Sequence, residues 1–156
     1  MPRIEINTEI NAPIDVVFDL SRSIDLHLKS TEGTKERVIA GRSTGLINLD
    51  ESVTWRAKHL GVTQNLTSKI TVMQRPDIFV DEMTQGIFTR MCHQHLFLEE
   101  NNKTLMIDIF EFESPMGLLG KLVNRLFLKR YLERFIIKRN DRIKAVAENG
   151  DWREFF

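Results

Sequence analysis

Residues 116 to 140 read MGLLGKLVNRLFLKRYLERFIIKRN, and this stretch predicts a long amphipathic helix near the end of the chain. Apolar residues recur at the spacing of one helix face, while charged residues interrupt the run every few positions. A membrane-spanning helix needs about 20 consecutive apolar residues, so this helix is predicted to pack on other parts of the protein instead. The pattern continues to residue 148, and Gly150 follows where a helix-terminating glycine is expected.

The sequence pattern before this helix predicts mostly strands. Residues 3 to 10 and about six segments between residues 37 and 113 alternate apolar with polar residues, and turn signals around glycine and proline separate them. Pro13 and the apolar residues after it predict a short helix, and residues 23 to 31 predict a poorer second one.

A strongly curved antiparallel sheet cannot bury its inner face alone, and only the terminal helix is long and apolar enough to cover it. We therefore predict an α+β fold with a cavity between sheet and helix. The predicted domain spans residues 1–149, and residues 150–156 form a short tail.

Several segments resemble the START-like helix-grip superfamily, also called SRPBCC, which includes polyketide cyclases, lipid-transfer domains and the birch-pollen allergen family. The segments are INAPIDVVFDL at 10–20, VTWRAKHLG at 53–61, FVDEMTQGIF at 79–88, HQHLF at 93–97 and the helical stretch from residue 113. Within the superfamily they look like a bacterial subgroup of cyclase-like proteins. The resemblance implies a curved sheet of about seven strands around a long C-terminal helix, with two short helices after the first strand. It also implies a cavity that the superfamily uses for transport, sensing, cyclisation or hydrolysis.

Composition limits the partners that we expect. The chain has 22 basic and 22 acidic side chains, so no net charge attracts it to nucleic acid, and we expect no nucleic-acid partner. Its single cysteine, Cys92, excludes an intramolecular disulfide, and the N-terminus resembles neither a signal peptide nor an anchor. We expect a cytoplasmic protein without stable membrane insertion, and leave the oligomeric state open.

A rival hypothesis is weak association with anionic membranes through a basic outer face of the terminal helix, to which we assign Arg139 among other basic residues.

TRMCHQHLF, residues 89 to 97, holds the densest group of reactive side chains. On a strand, residues two apart share a face, so His93 and His95 lie together with Met91 and Phe97, and Cys92 lies on the opposite side. Cys92 is therefore predicted to be an ordinary buried or half-buried thiol. The same phase argument places Glu51, Gln64, Ser68 and Asp81 on the inner face of the sheet, where a cavity with water would solvate them.

Three interpretations of the two histidines stay open: structural hydrogen bonding, polar anchoring of a ligand, and metal binding with a third ligand such as Asp81 or Asp108. Our prediction is the binding of a small hydrophobic or amphipathic molecule, with no metal and no cofactor. The predicted ligand-binding residues are Trp55, His59, Phe79, Met83, His93, His95, Phe97, Leu122 and Leu126. The alternative is a cyclase-like or hydrolase-like enzyme that uses the histidines for proton transfer, although no catalytic motif is present in the sequence and we name no catalytic residue.

Overall fold

A computed structural model describes residues 1–115, 117–123 and 127–156 of the chain. Its strands are β1 Arg3–Ile10, β2 Arg37–Gly41, β3 Ser52–His59, β4 Val62–Gln74, β5 Ile78–Gln85, β6 Arg90–Glu100 and β7 Lys103–Glu113. Its α-helices are α1 Ile14–Ser21, α2 Ile24–Ser30, α3 Gly117–Val123 and α4 Lys129–Asn149. Short 3₁₀ turns follow α2 at Glu32–Thr34 and α4 at Asp151–Glu154.

The seven strands form one curved antiparallel sheet in the order β1-β7-β6-β5-β4-β3-β2. The short helices follow the first strand as predicted: Pro13 precedes α1, and the Ser23 side chain accepts a hydrogen bond from the backbone N–H of Leu26 at the start of α2. The long helix α4 contacts β1, α1 and α2 and buries Ile136, Ile143 and Val146. The predicted α+β helix-grip fold is therefore confirmed.

The apolar stripe of the terminal helix is used over only part of its predicted length. Leu118, Leu119 and Leu122 in α3 are 84%, 63% and 55% exposed, whereas Leu132 and Ile136 in α4 belong to the core. Met116 and residues 124–126 lie outside the described residues. Helical periodicity shows which residues share a face, but not how much of that face meets the sheet, so the prediction of burial in α3 was wrong.

The inner face of β4 also differs from the alternation predicted for it. Val62 and Val72, which that pattern places inside, are 58% and 38% exposed. The register with β5 shifts between Ile70 and Val72, so one extra residue reverses the phase of the strand from Val72 onward. Val62 is the first residue of β4, next to the turn from β3, and lies before this shift. After this bulge Met73 packs against the core in place of Val72.

The C-terminal tail packs on the domain. Trp152 and Phe155 contact the larger core cluster, which also contains Phe18, Phe97 and Ile143. Within the described ranges, no helix has the length and apolar character needed to cross a membrane.

Candidate ligand-binding cavity

A cavity of about 230 Å³ lies between the inner face of the sheet and α4. Apolar side chains such as Ile70, Leu66 and Ile136 form much of its wall. Five of the predicted ligand-binding residues line it: Trp55, His59, Phe79, His93 and His95. Three polar residues that were predicted to face inward also line it: Gln64, Ser68 and Asp81. The predicted alternation between inner and outer residues is therefore correct for most of β3, β4 and β5.

The remaining predicted residues lie elsewhere. Phe97 shares the face of the histidines, but α1 covers that end of the sheet, and Phe97 is 1% exposed with its ring 5.1 Å from that of Phe18. Met83 packs against the second core cluster, and Leu122 points to solvent. Glu51 lies outside the cavity, where its carboxylate pairs with Arg42 at 3.1 Å. Leu126 is outside the described residues.

Strand β6 presents the two faces that its sequence predicts. Met91, His93, His95 and Phe97 are buried, while Cys92 and its alternating neighbours are less so. Burial and nearby acidic groups raise the pKa of the Cys92 thiol, so it stays protonated and unreactive at neutral pH.

A buried ionic network adjoins the histidines, and we call it the Asp108 network. Its members are Asp81, His93, His95, Asp108, Arg139 and Asn140. Asp108 on β7 has no exposed surface, because Cα pairing places it opposite His95 and next to α4. Its Oδ1 lies 2.8 Å from His93 Nε2 and 3.1 Å from His95 Nδ1, and its Oδ2 accepts a 2.6 Å hydrogen bond from Asn140 Nδ2.

The network continues to both sides of Asp108. His95 Nε2 lies 2.8 Å from Asp81 Oδ2 on the neighbouring strand. Arg139 lies 3.6 Å from Asp108 Oδ1 and donates a 2.9 Å hydrogen bond to the backbone carbonyl of Ser21. Arg139 is only 5% exposed, so its assignment to the outer face of the helix was wrong.

The environment sets different protonation states for the two histidines. Burial, helped by the charge of His95, lowers the pKa of His93. Burial also acts to lower the pKa of His95, but its contacts with Asp108 and Asp81 outweigh burial and raise that pKa. Burial acts to raise the pKa of Asp108, yet contacts with the two histidines hold it well below its usual value. Two carboxylates therefore face two cations, His95 and Arg139, with His93 neutral between them.

This arrangement can move a proton. A neutral His93 that donates from Nε2 to Asp108 keeps Nδ1 as an acceptor, and a protonated His95 is an acid. Both rings line the cavity, but both nitrogens of His95 already face carboxylates, so Nδ1 of His93 is the atom of the pair that can contact a polar group of a bound molecule.

The same residues offer a set of metal ligands. One ligand atom each from Asp81, His93 and His95 lies within 4.8 Å of the others, and imidazole with carboxylate suits zinc. A metal ion would have to replace the proton of His95 and add positive charge near Arg139, which lies 3.6 Å from Asp108. The charge balance of the network thus favours the proton.

A second polar group lies in the wall of the cavity, and we call it the Glu36 cluster. It consists of His27, Glu36, Trp55, His59 and Tyr131, all of which line the cavity. His27 Nε2 lies 2.8 Å from Glu36 Oε1, and the His27 ring packs on Trp55 with ring centroids 4.3 Å apart. His59 Nδ1 lies 2.6 Å from the hydroxyl of Tyr131.

Sequence reasoning missed several of these residues. The burial of Arg139 and Asn140 could have been predicted from the sequence. Each lies three or four residues from Ile136 and from Ile143, so helix periodicity places it on the same buried face as these isoleucines. Glu36 carried none, because it lies at the end of a loop whose path depends on the packing of α2.

Comparison with known proteins supports the fold. No protein-family model and no curated protein matches the sequence. Among solved structures, the Zhui aromatase/cyclase from a Streptomyces species has a TM-score of 0.74 at 14% identity, over 94% of this chain and 93% of that one. Ginseng major latex-like protein 151 from Panax ginseng has a TM-score of 0.70 at 15% identity, over 94% and 97% of the two chains. A START superfamily protein from Mycobacterium smegmatis has a TM-score of 0.69 at 12% identity, over 92% and 98%. The chain therefore has the START-like helix-grip fold that its sequence resembles.

Proposed function

We propose that this protein binds a small, mostly apolar molecule in the cavity between its sheet and α4. The observation that carries the proposal is the cavity itself, which is about 230 Å³ in volume and combines an apolar wall with two confined polar groups. Binding sites for small molecules typically have this composition, since the apolar wall supplies affinity and a few polar groups fix the orientation.

The volume narrows the size of the ligand. An apolar cavity of roughly 150 Å³ holds benzene, so the larger cavity here suits a molecule of one or two rings. Such a molecule would contact Trp55 and Phe79 and place polar groups near His59, His93 or His95. Leu60 and Ile87 line the cavity but are 53% and 42% exposed, which is consistent with an entrance between the β3–β4 and β5–β6 turns.

Native mass spectrometry of protein purified without added ligand tests the proposal. A retained molecule that solvent extraction releases as an apolar compound is the expected result. Protein that carries no added mass in any preparation, and that also binds no aromatic probe in titration, would argue against ligand binding.

A second candidate function is catalysis by proton transfer, in a cyclase-like or hydrolase-like reaction. The observation that favours it is the pair of cavity histidines that meet at Asp108 Oδ1, at 2.8 and 3.1 Å, where their surroundings shift the two pKa values in opposite directions, and one structural neighbour is named an aromatase/cyclase. If the retained molecule is converted on incubation, His93→Ala and His95→Ala should abolish conversion while the molecule still binds. Unchanged chemical identity of the molecule after incubation with wild-type protein favours binding alone.

We infer a cytoplasmic location from the single cysteine, no nucleic-acid partner from the balanced charge, and no stable membrane insertion from the charged residues that interrupt the longest apolar stretch. Sedimentation with anionic liposomes at low salt tests the membrane part of this inference. Co-sedimentation that salt reverses would support weak surface association through α4 instead.

A further inference from the structure

Glu36 is the one carboxylate of the Glu36 cluster, and one of its two oxygens has no hydrogen-bond partner among the described residues. Its side chain is only 6% exposed and lines the cavity. Oε1 is paired with His27 at 2.8 Å, but Oε2 is buried and has no hydrogen-bond partner among the described residues. A buried carboxylate oxygen without a partner costs free energy, so a hydrogen-bond donor on a ligand would stabilise it. Because Oε2 itself has almost no accessible surface, the ligand reaches it only when the Glu36 carboxylate rotates toward the cavity that the side chain lines.

Neighbouring side chains do not supply that contact. The hydroxyl of Thr31 lies near Glu36 and helps to lower its pKa, but it donates to the backbone carbonyl of His27 at 2.9 Å, and a hydroxyl has a single proton to give. Nδ1 of His59 and the hydroxyl of Tyr131 are paired with each other, at 2.6 Å.

The negative charge of Glu36 strengthens any hydrogen bond that its carboxylate accepts. Burial acts to raise the pKa of Glu36, but the nearby imidazoles of His27 and His59 outweigh burial and lower it. Burial lowers the pKa of His59, which is therefore neutral at pH 7. The carboxylate is ionised, and hydrogen bonds to ionised acceptors are roughly twice as strong as those between neutral groups.

The Asp108 network differs in this respect. There both oxygens of Asp108 have partners, and two cations balance two carboxylates. Among the described residues of the two polar groups, Glu36 Oε2 is the buried carboxylate oxygen without a hydrogen-bond partner, whereas the buried atom without one in the Asp108 network is a nitrogen, Nδ1 of His95.

We propose that Glu36 Oε2 accepts a hydrogen bond from the bound molecule, which therefore carries an O–H or N–H donor on an otherwise apolar ring framework. This inference rests on the proposed function and specifies its ligand class as a small hydroxylated or amino-substituted aromatic or alicyclic compound. Molecules of the same size that can only accept hydrogen bonds leave Oε2 unpaired and bind more weakly.

Three naphthalene probes test this claim by isothermal titration at pH 7: naphthalene, 1-methoxynaphthalene and 1-naphthol. They share one apolar framework, and 1-naphthol alone adds a donor. We expect wild-type protein to bind 1-naphthol roughly tenfold or more tightly than either other probe. Glu36→Gln should remove most of that preference while the affinity for naphthalene stays within about twofold.

Glu32→Gln is the matched control, since Glu32 is exposed in the turn that precedes Glu36, and it should keep the wild-type preference. Equal affinity of wild-type protein for all three probes would overturn the role of Glu36 but leave apolar binding intact. Binding of none of them would overturn the proposed function, and this inference with it. The wild-type comparison needs no variant, so the test holds even where Glu36→Gln fails to fold.

Discussion

At the scale of single residues, Asp108 is the centre of the buried charge network. It lies against His93, His95, Asn140 and Arg139 and has no exposed surface. Removing one partner of a buried ion pair leaves the others uncompensated. Asp108→Asn should therefore lower the free energy of unfolding by about 3–5 kcal/mol. Urea denaturation at pH 7 measures this, and Asp141→Asn, at an exposed position of α4, should change it by less than about 0.5 kcal/mol. Equal losses in the two variants would mean that the network does not stabilise the fold.

His95 should give the stability of the protein a specific pH dependence. Its pKa is raised in the folded state because contacts with Asp108 and Asp81 outweigh burial, whereas an unfolded histidine titrates near about 6.5. The stabilisation is thus complete below about pH 6.5 and is lost as the pH rises toward the folded pKa. From about pH 6.5 up to the folded pKa of His95, the free energy of unfolding should fall by up to about 1.4 kcal/mol per pH unit, since the folded state alone holds the proton. In His95→Gln this fall should disappear, and an identical fall in both proteins would contradict the assignment.

The residues of the site were predictable to different degrees. Alternation along residues 89–97 was enough to separate His93 and His95 from Cys92, because a strand has only two faces. The partners of the histidines were not predictable, because Asp81 and Asp108 come from two other strands and their alignment depends on register. Glu36 depends on loop packing, which sequence periodicity does not describe.

At the scale of elements, the edge strand β2 depends on a close approach that only glycine allows. Gly41 has a φ of +79°, and a Cβ there would collide with the backbone carbonyl oxygen of Ser52 on β3. Gly61 has a φ of +80°, but a Cβ added to it would meet no neighbouring atom within 4 Å. An alanine at residue 61 therefore introduces backbone strain alone, whereas an alanine at residue 41 introduces backbone strain and a collision. Gly61→Ala should cost about 1–2 kcal/mol of unfolding free energy, and Gly41→Ala roughly 1–3 kcal/mol more. Urea denaturation of both variants measures the difference, and equal costs would refute the collision.

The type of each element was predicted better than the details of its strand phase and burial. The seven strands, the two short helices and the terminal helix follow from periods of two and 3.6 residues. The bulge in β4 and the exposed leucines of α3 did not follow, since an inserted residue or an unused apolar face leaves the local period unchanged.

At the scale of the whole molecule, ligand binding depends on the cavity that remains when α4 covers the curved sheet. Sheet and helix could be predicted from the sequence, and a space between them was expected because a curved sheet and a single helix do not fill each other. Its volume and the polar groups in its wall depend on side-chain packing throughout the domain. The cavity is also the feature on which ligand binding and the role of Glu36 both depend.

Isothermal titration of 1-naphthol into wild-type protein, Ala57→Phe and Lys58→Phe tests the cavity most directly. Ala57 is 5% exposed and lines the cavity, so a phenylalanine ring there should occupy the space of the ligand, whereas Lys58 is exposed at the next position of β3. Circular dichroism establishes that each variant is folded. Wild-type protein and Lys58→Phe should bind 1-naphthol with similar affinity, whereas the affinity of Ala57→Phe should be at least about tenfold lower. Undiminished binding by a folded Ala57→Phe would show that the ligand does not occupy this cavity.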